Sequence, residues 1–106
     1  MNFKSIFNID PEVKESAHAR VNLIGEHTDY TGGYVMPTLL SFKNIIEISK
    51  NNSNEFNVYS QHFNEKKEFN DFKKSTDNVW VDYIKGCLQI FFEENKISSK
   101  FLNIYI

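Results

Sequence analysis

The chain has 106 residues, 41% of them hydrophobic and 25% charged, and a formal net charge of -2. This composition suits one small globular domain or part of a larger one, with a thin stability margin at this size. The near-neutral balance offers no basic stripe for a phosphate backbone, which argues against nucleic acid as a partner, and no apolar run is long enough to span a membrane.

The first residues, M-N-F-K-S-I-F-N, lack the apolar core of a signal peptide, so a cytoplasmic setting is the default. Asp10-Pro11 marks a local start or turn. Between Glu15 and Glu26, Val21 and Leu23 alternate with Asn22 and Ile24, which predicts a strand with at least one buried face. Gly25 ends the apolar run. Thr31-Gly32-Gly33 is a turn signal, because paired glycines take positive φ without steric cost, and Met36-Pro37 closes the loop. Phe42 to Ser49, rich in β-branched residues, reads as a strand, and Asn51 to Asn54 as a turn. Glu55 to Gln61 is a second strand, with Phe56 and Val58 on one face and Asn57 and Tyr59 on the other. Asn64-Glu65-Lys66-Lys67 separates it from a short strand around Glu68-Phe69-Asn70, which makes a small antiparallel set.

The pattern predicts a helix over about Val79 to Glu94. Trp80, Tyr83, Ile84, Cys87, Leu88 and Phe91 repeat at the spacing of one buried stripe. Ser75, Thr76, Asp77 and Asn78 are its candidate N-caps. Cys87, the single cysteine, reads as a small buried hydrophobe and rules out an intrachain disulfide. Ser98-Ser99 breaks the chain, and Phe101 to Ile106 reads as a last strand with at least one bare edge. Mixed strands against at least one helix make the expected fold class α+β.

Chemistry concentrates between Arg20 and Gly33. A strand delivers polar side chains at its end, Gly25 releases the chain, and four polar residues follow at once. Ionised Glu26 and Asp29 are acceptor-only, each with two oxygens, and suit vicinal hydroxyl groups of a sugar. His27 donates or accepts beside them, and Tyr30 adds an apolar face or one hydroxyl. A small polyol needs such a convergent set, since its specificity comes from paired hydroxyls. Two other readings stand beside this one. The segment is a solvated polar loop in which Asp29 caps a turn, or Glu26, His27 and Asp29 ligate a metal. No second His or Cys cluster supports the metal, so no metal site is assigned. On the same physical grounds Arg20 is a surface ion-pair partner, and His18 and His62 are surface residues.

R-V-N-L-I-G-E-H-T-D-Y followed by T-G-G-Y-V-M-P resembles the galactokinase signature of the GHMP small-molecule kinases. W-V-D-Y-I-K-G, Trp80 to Gly86, resembles a galactokinase helix with a W-x-x-Y-x-x-G core. Order and spacing agree, so the resemblance covers essentially the whole chain. It implies that residues 1–106 are an amino-terminal galactokinase-like segment, an incomplete α+β part of a GHMP-kinase fold. The implied activity is transfer of the ATP γ-phosphate, with Mg²⁺, to the anomeric hydroxyl of galactose, in cytoplasmic galactose metabolism. Carried over by position, Arg20 matches the arginine beside the transferred phosphoryl group, where a fixed positive charge stabilises the transition state. Glu26, His27 and Asp29 match the residues that hold galactose hydroxyls, and Thr28 lies inside that substrate-binding segment.

Two departures accompany the resemblance. The family pattern A-P-G-R is Ala17-His18-Ala19-Arg20 here. If that turn needs positive φ, Ala costs roughly 1–2 kcal/mol there. The phosphate loop P-x-x-x-G-L-x-S-S, the segment with the catalytic aspartate and the carboxy-terminal domain are absent from the sequence. No cofactor-binding residue is therefore assigned, and the segments that would bind ATP and Mg²⁺ are missing. The chain alone is expected to be inactive, with galactose as its ligand and a separately encoded downstream kinase fragment as a candidate partner. The rival expectation is a non-catalytic remnant, or a sugar-binding or regulatory module.

Overall fold

A computed structural model describes residues 1–77, 79–98 and 100–106; the expectations placed on Asn78 and Ser99 lie outside the described residues. In chain order the elements are α1 (Phe3–Phe7), β1 (Val13–Asn22), β2 (Pro37–Lys50), β3 (Phe56–Ser60), β4 (Glu65–Phe69), α2 (Val81–Glu94) and β5 (Leu102–Tyr105). The strands form a five-stranded sheet in the order β1-β2-β5-β3-β4. The architecture is α+β, as expected. The chain divides into two compact units, one of Met1–Lys14 with Glu47–Ile106 and one of Glu15–Ile46. Among the described residues no helix is long and apolar enough to cross a membrane.

In the first unit, β3 and β4 form an antiparallel pair, and β5 lies parallel to β3 and antiparallel to β2. The sheet is therefore mixed, in line with the expected fold class; the expected antiparallel set holds for β3 and β4, whereas β5 stands between β2 and β3. The bare edge expected of the last strand is also absent, because β5 is paired along both sides. The turn before β4 is confined to Gln61–Asn64, with Asn64 at φ 50°, so Glu65 to Lys67 join the strand. Their charges fit an outermost strand, where they discourage edge-to-edge pairing.

Alternation sends the β3 side chains to two cores. Tyr59 packs with Tyr105 and Phe3 on one face, joined by Ile6 and Phe7 of α1. Nothing in the periodicity of residues 3–7 predicts α1. Its signal is the capping box of Asn2 and Ser5: Ser5 N–H donates to Asn2 Oδ1 at 2.9 Å, and Asn2 N–H donates to Ser5 Oγ at 3.0 Å. On the other face Phe56, 1% exposed, has its ring 5.1 Å from those of Phe69 and Phe101, 5.6 Å from Phe72 and 6.4 Å from Phe92.

The helix α2 starts two residues later than expected and turns a different face inward. Val81 and Lys85 are buried and Ile84, Leu88 and Phe92 half-buried, whereas Tyr83, Cys87 and Phe91 point to solvent. Lys85 explains the rotation. Its ammonium donates to Lys73 O at 3.1 Å and Ser75 Oγ at 3.2 Å, and lies 5.3 Å from the Phe69 ring centroid. A lysine so satisfied buries its aliphatic stem at little cost. Trp80 stands at the N-cap without a side-chain capping bond, and its Nε1–H donates instead to Glu65 Oε2 at 2.9 Å. Ser75, an expected cap, instead donates its N–H and hydroxyl to Asp82 in the first turn, at 3.1 and 2.8 Å.

The second unit is a two-stranded ribbon, Glu15–Asn22 of β1 and Pro37–Ile46 of β2, with its connecting loop. It contains no helix to cover it. Val21, Leu23 and Ile24 are exposed, against the expectation of a buried strand face, and β1 stops at Asn22.

Two outcomes follow from this packing. Phe56→Ala is expected to cost about 3–5 kcal/mol, seen as a lower denaturant midpoint at unchanged m-value. Burial pushes the Asp82 carboxyl up, but the two Ser75 hydrogen bonds and the charges of Lys85 and Lys74 outweigh it and hold the group below the usual range. A carboxyl depressed in this way adds stability above its unfolded value and loses it as pH falls through the folded one. Asp82→Asn is therefore expected to flatten the acid limb of the stability profile below about pH 3.9, followed by chemical unfolding across pH.

Candidate functional site

Arg20 stands on β1, and Glu26, His27, Thr28 and Asp29 follow in a continuous run of turns over residues 26–32. All five side chains are exposed. The four loop residues are brought together by local chain reversal. Arg20 is displaced along the strand, and among the described residues no hydrogen bond or ion pair joins it to them.

Ala17, His18 and Ala19 continue β1 as extended backbone, and none of them is among the residues of positive φ. The strain feared from the loss of Pro and Gly is absent. His18 also has a partner, with Nδ1 2.8 Å from Leu40 O across the ribbon.

Two backbone bonds close the neck of the loop, Leu23 N–H to Met36 O at 2.8 Å and Met36 N–H to Ile24 O at 3.1 Å. Gly25 then leaves the strand at φ 94°, a conformation that costs an L side chain roughly 1–2 kcal/mol. A Cβ at Gly25 would sit 2.6 Å from Tyr34 O and 2.8 Å from Thr28 Oγ1. That space is filled by Thr28, whose hydroxyl lies 2.7 Å from Tyr34 O and 3.2 Å from Gly25 O. Gly33 N–H returns to Thr28 O at 2.7 Å, and Thr31 Oγ1 lies 3.2 Å from the same oxygen. Thr28 thus ties both limbs of the loop together. With its proton committed to the protein, its hydroxyl can only accept from a ligand.

The remaining polar groups point outward. Asp29 Oδ1 accepts from Tyr30 N–H at 2.8 Å, which leaves Oδ2 for a ligand. Glu26 has no hydrogen-bond partner among the described residues. His27 Nδ1 meets the Tyr30 hydroxyl at 2.9 Å. Among the described residues no three His, Cys, Asp or Glu side chains gather as a metal-ligand set. The result is a turn held by its own hydrogen bonds that presents two carboxylates and an imidazole, groups that can pair with hydroxyls. Thr28 as a structural tie, with the Tyr34 carbonyl as its partner, has no signature in composition or spacing beyond the conformational freedom of Gly25.

A phosphate cradle here would have to draw on the backbone N–H groups of the turn. Such a cradle needs several free backbone N–H groups converging on one point. Here the N–H groups of Thr28, Tyr30 and Gly33 are bonded to Gly25 O, Asp29 Oδ1 and Thr28 O. In the first unit a separate open cleft of about 540 Å³ is lined by Phe72, Lys74, Val79, Asp82, Tyr83, Lys85, Gly86 and Gln89, and contains none of the predicted site residues.

Residues 1–50 match the galactokinase galactose-binding signature. A galactokinase of Pyrococcus furiosus is 47% identical over 75 residues, which cover 71% of this chain and 21% of that protein. A galactokinase of Fusobacterium nucleatum is 40% identical over 94% of this chain and 27% of its own length. The crystal structure of Lactococcus lactis galactokinase complexed with galactose superposes with a TM-score of 0.75 at 28% identity, covering 97% of this chain and 28% of that one. Mevalonate kinase of Methanococcus jannaschii shares the fold at a TM-score of 0.68 and 16% identity. The chain spans about a quarter of the length of the curated relatives it matches.

The loop geometry makes a direct prediction. Gly25→Ala is expected to break the Thr28 bonds, moving the amide resonances of Thr28 and Gly33 by NMR while those of β3 hold. Gly32 also has positive φ, but nothing lies within 4 Å of its Cβ position, so Gly32→Ala adds backbone strain alone and is expected to leave the Thr28 bonds in place.

Proposed function

Since this chain belongs to the galactokinase family, we propose that its turn at residues 26–32 binds galactose and forms the sugar side of a GHMP-kinase active site. The reading is carried by one observation: the galactose-binding signature spans residues 1–50 and contains the whole turn. Glu26 and Asp29 accept hydrogen bonds from sugar hydroxyls, and His27 completes the set. Thr28 offers a lone pair and keeps the turn in shape. Arg20, on extended backbone, is the fixed positive charge of the reaction centre. A charge held by a strand costs little reorganisation during reaction.

The whole protein's reaction is phosphorylation of the anomeric hydroxyl of galactose in the cytoplasm, for which ATP with Mg²⁺ supplies the phosphoryl group. The nucleotide and the metal ion are held by residues outside this sequence. This chain's own contribution is to bind the sugar, orient it and hold it at a set of acceptors. Alone it binds galactose weakly and does not phosphorylate it, because a site open on one side leaves water in competition for each hydroxyl.

Galactose titrated into the labelled chain and followed by NMR tests this proposal. Shifts confined to residues 20–34 are expected, with Asp29→Ala and Glu26→Ala each weakening binding about ten- to hundredfold, as for hydrogen bonds to charged groups. Affinity unchanged in both variants would remove the site assignment. Galactose-dependent ADP release by the chain alone, abolished in Arg20→Ala, would contradict its inactivity.

A further inference from the structure

The imidazole of His27 is held by a neighbour that the sugar site itself does not require. Its Nδ1 lies 2.9 Å from the hydroxyl of Tyr30, and the two rings meet edge to face at 75° with centroids 6.2 Å apart. The backbone on either side is fixed as well. Thr31 Oγ1 lies 3.4 Å from His27 O, and Thr28 is tied to Gly25 and Tyr34. With Nδ1 occupied, Nε2 is the ring atom left for a ligand.

Which nitrogen of a neutral imidazole carries the proton is set by the hydrogen bond the other one makes. A phenol is a good donor and a modest acceptor, whereas an unprotonated ring nitrogen is a strong acceptor. The favoured arrangement has the Tyr30 hydroxyl donating to Nδ1, which places the ring proton on Nε2. We propose that Tyr30 is a positioning residue that fixes His27 as a side-chain hydrogen-bond donor of the turn, directed at an oxygen of the bound sugar. This rests on the galactose reading above and specifies the chemistry of that same site.

The donor matters because its neighbours only accept. Ionised Glu26 and Asp29 have no proton to give, and the Thr28 proton is spent on the protein. A sugar hydroxyl that donates to a carboxylate keeps its lone pairs, and accepting Nε2–H strengthens the bond it donates. In the other tautomer Nε2 would be an acceptor like its neighbouring side chains, and the imidazole would have no proton for a sugar lone pair. Tyr30 acts through His27 and needs no contact with the sugar.

Tyr30→Phe removes the hydroxyl and keeps the ring. Long-range ¹H–¹⁵N correlation spectra of the full chain, recorded in alkaline buffer where free imidazole is neutral, report the tautomer directly. The expected result is an Nε2–H form at His27 that gives way to a mixed population in Tyr30→Phe, with the Thr28 and Gly33 amides unmoved. Galactose affinity should fall roughly three- to tenfold, the effect of one neutral hydrogen bond. An Nδ1–H form in the unmodified chain, or a tautomer unchanged by Tyr30→Phe, overturns the inference. A tautomer that shifts while galactose affinity holds overturns its sugar-directed half. Failure of the unmodified chain to bind galactose at all overturns the galactose reading, and the spectra still decide what Tyr30 does to His27.

Discussion

Ile104 faces Ile48 of β2 on one side and Val58 of β3 on the other, and the rest of the first unit is arranged around that double pairing. β5 is the segment that joins β2 to β3; without it, neither strand would have that neighbour. Its alternate side chains also serve both cores. Ile104 joins Val58 on the face of the Phe56 cluster, while Tyr105 stacks on Tyr59 at 5.3 Å beneath α1. A central strand with buried side chains on both faces needs its backbone groups fully paired, and the antiparallel and parallel neighbours together meet that need.

The second unit depends on a smaller constraint. Gly25 must turn away from β1 with positive φ, and the volume a side chain would occupy there belongs to the Thr28 hydroxyl and the Tyr34 carbonyl. One threonine therefore substitutes for a packed core in a ribbon that has none. It uses hydrogen bonds to its own loop, which work at the surface because they satisfy carbonyls that would otherwise face water without fixing the chain. Bonds of this kind order the loop locally, so that on the proposed reading less ordering entropy is left to lose when a small ligand binds.

That economy also divides the chemistry. The N–H groups of Thr28, Tyr30 and Gly33 are bonded within the turn, and its side chains offer acceptors outward, an arrangement matched to hydroxyl donors. On the proposed reading, this turn is the sugar side of the site. The same turn also fixes one side of an exposed histidine. A hydroxyl three residues away is enough to occupy one ring nitrogen and leave the other for a ligand.

Much of this was readable from local sequence. Strand β3, helix α2 to within two residues, β5 and the polar turn after Gly25 all follow from periodicity and composition over short windows. The site residues 26–29 are consecutive, so their proximity needed no tertiary information. What short windows could not supply was the identity of distant partners. Lys85 is buried because Lys73 and Ser75, twelve and ten residues away, satisfy its ammonium, and this turns Tyr83, Cys87 and Phe91 outward. The Phe101–Ile106 segment reads as an edge until Ile104 is set between Ile48 and Val58. Thr28 is one polar residue among four until the Tyr34 carbonyl is placed against it. Side-chain periodicity is a property of neighbouring residues, whereas burial, pairing and the satisfaction of a buried charge depend on groups that only the folded chain brings within reach.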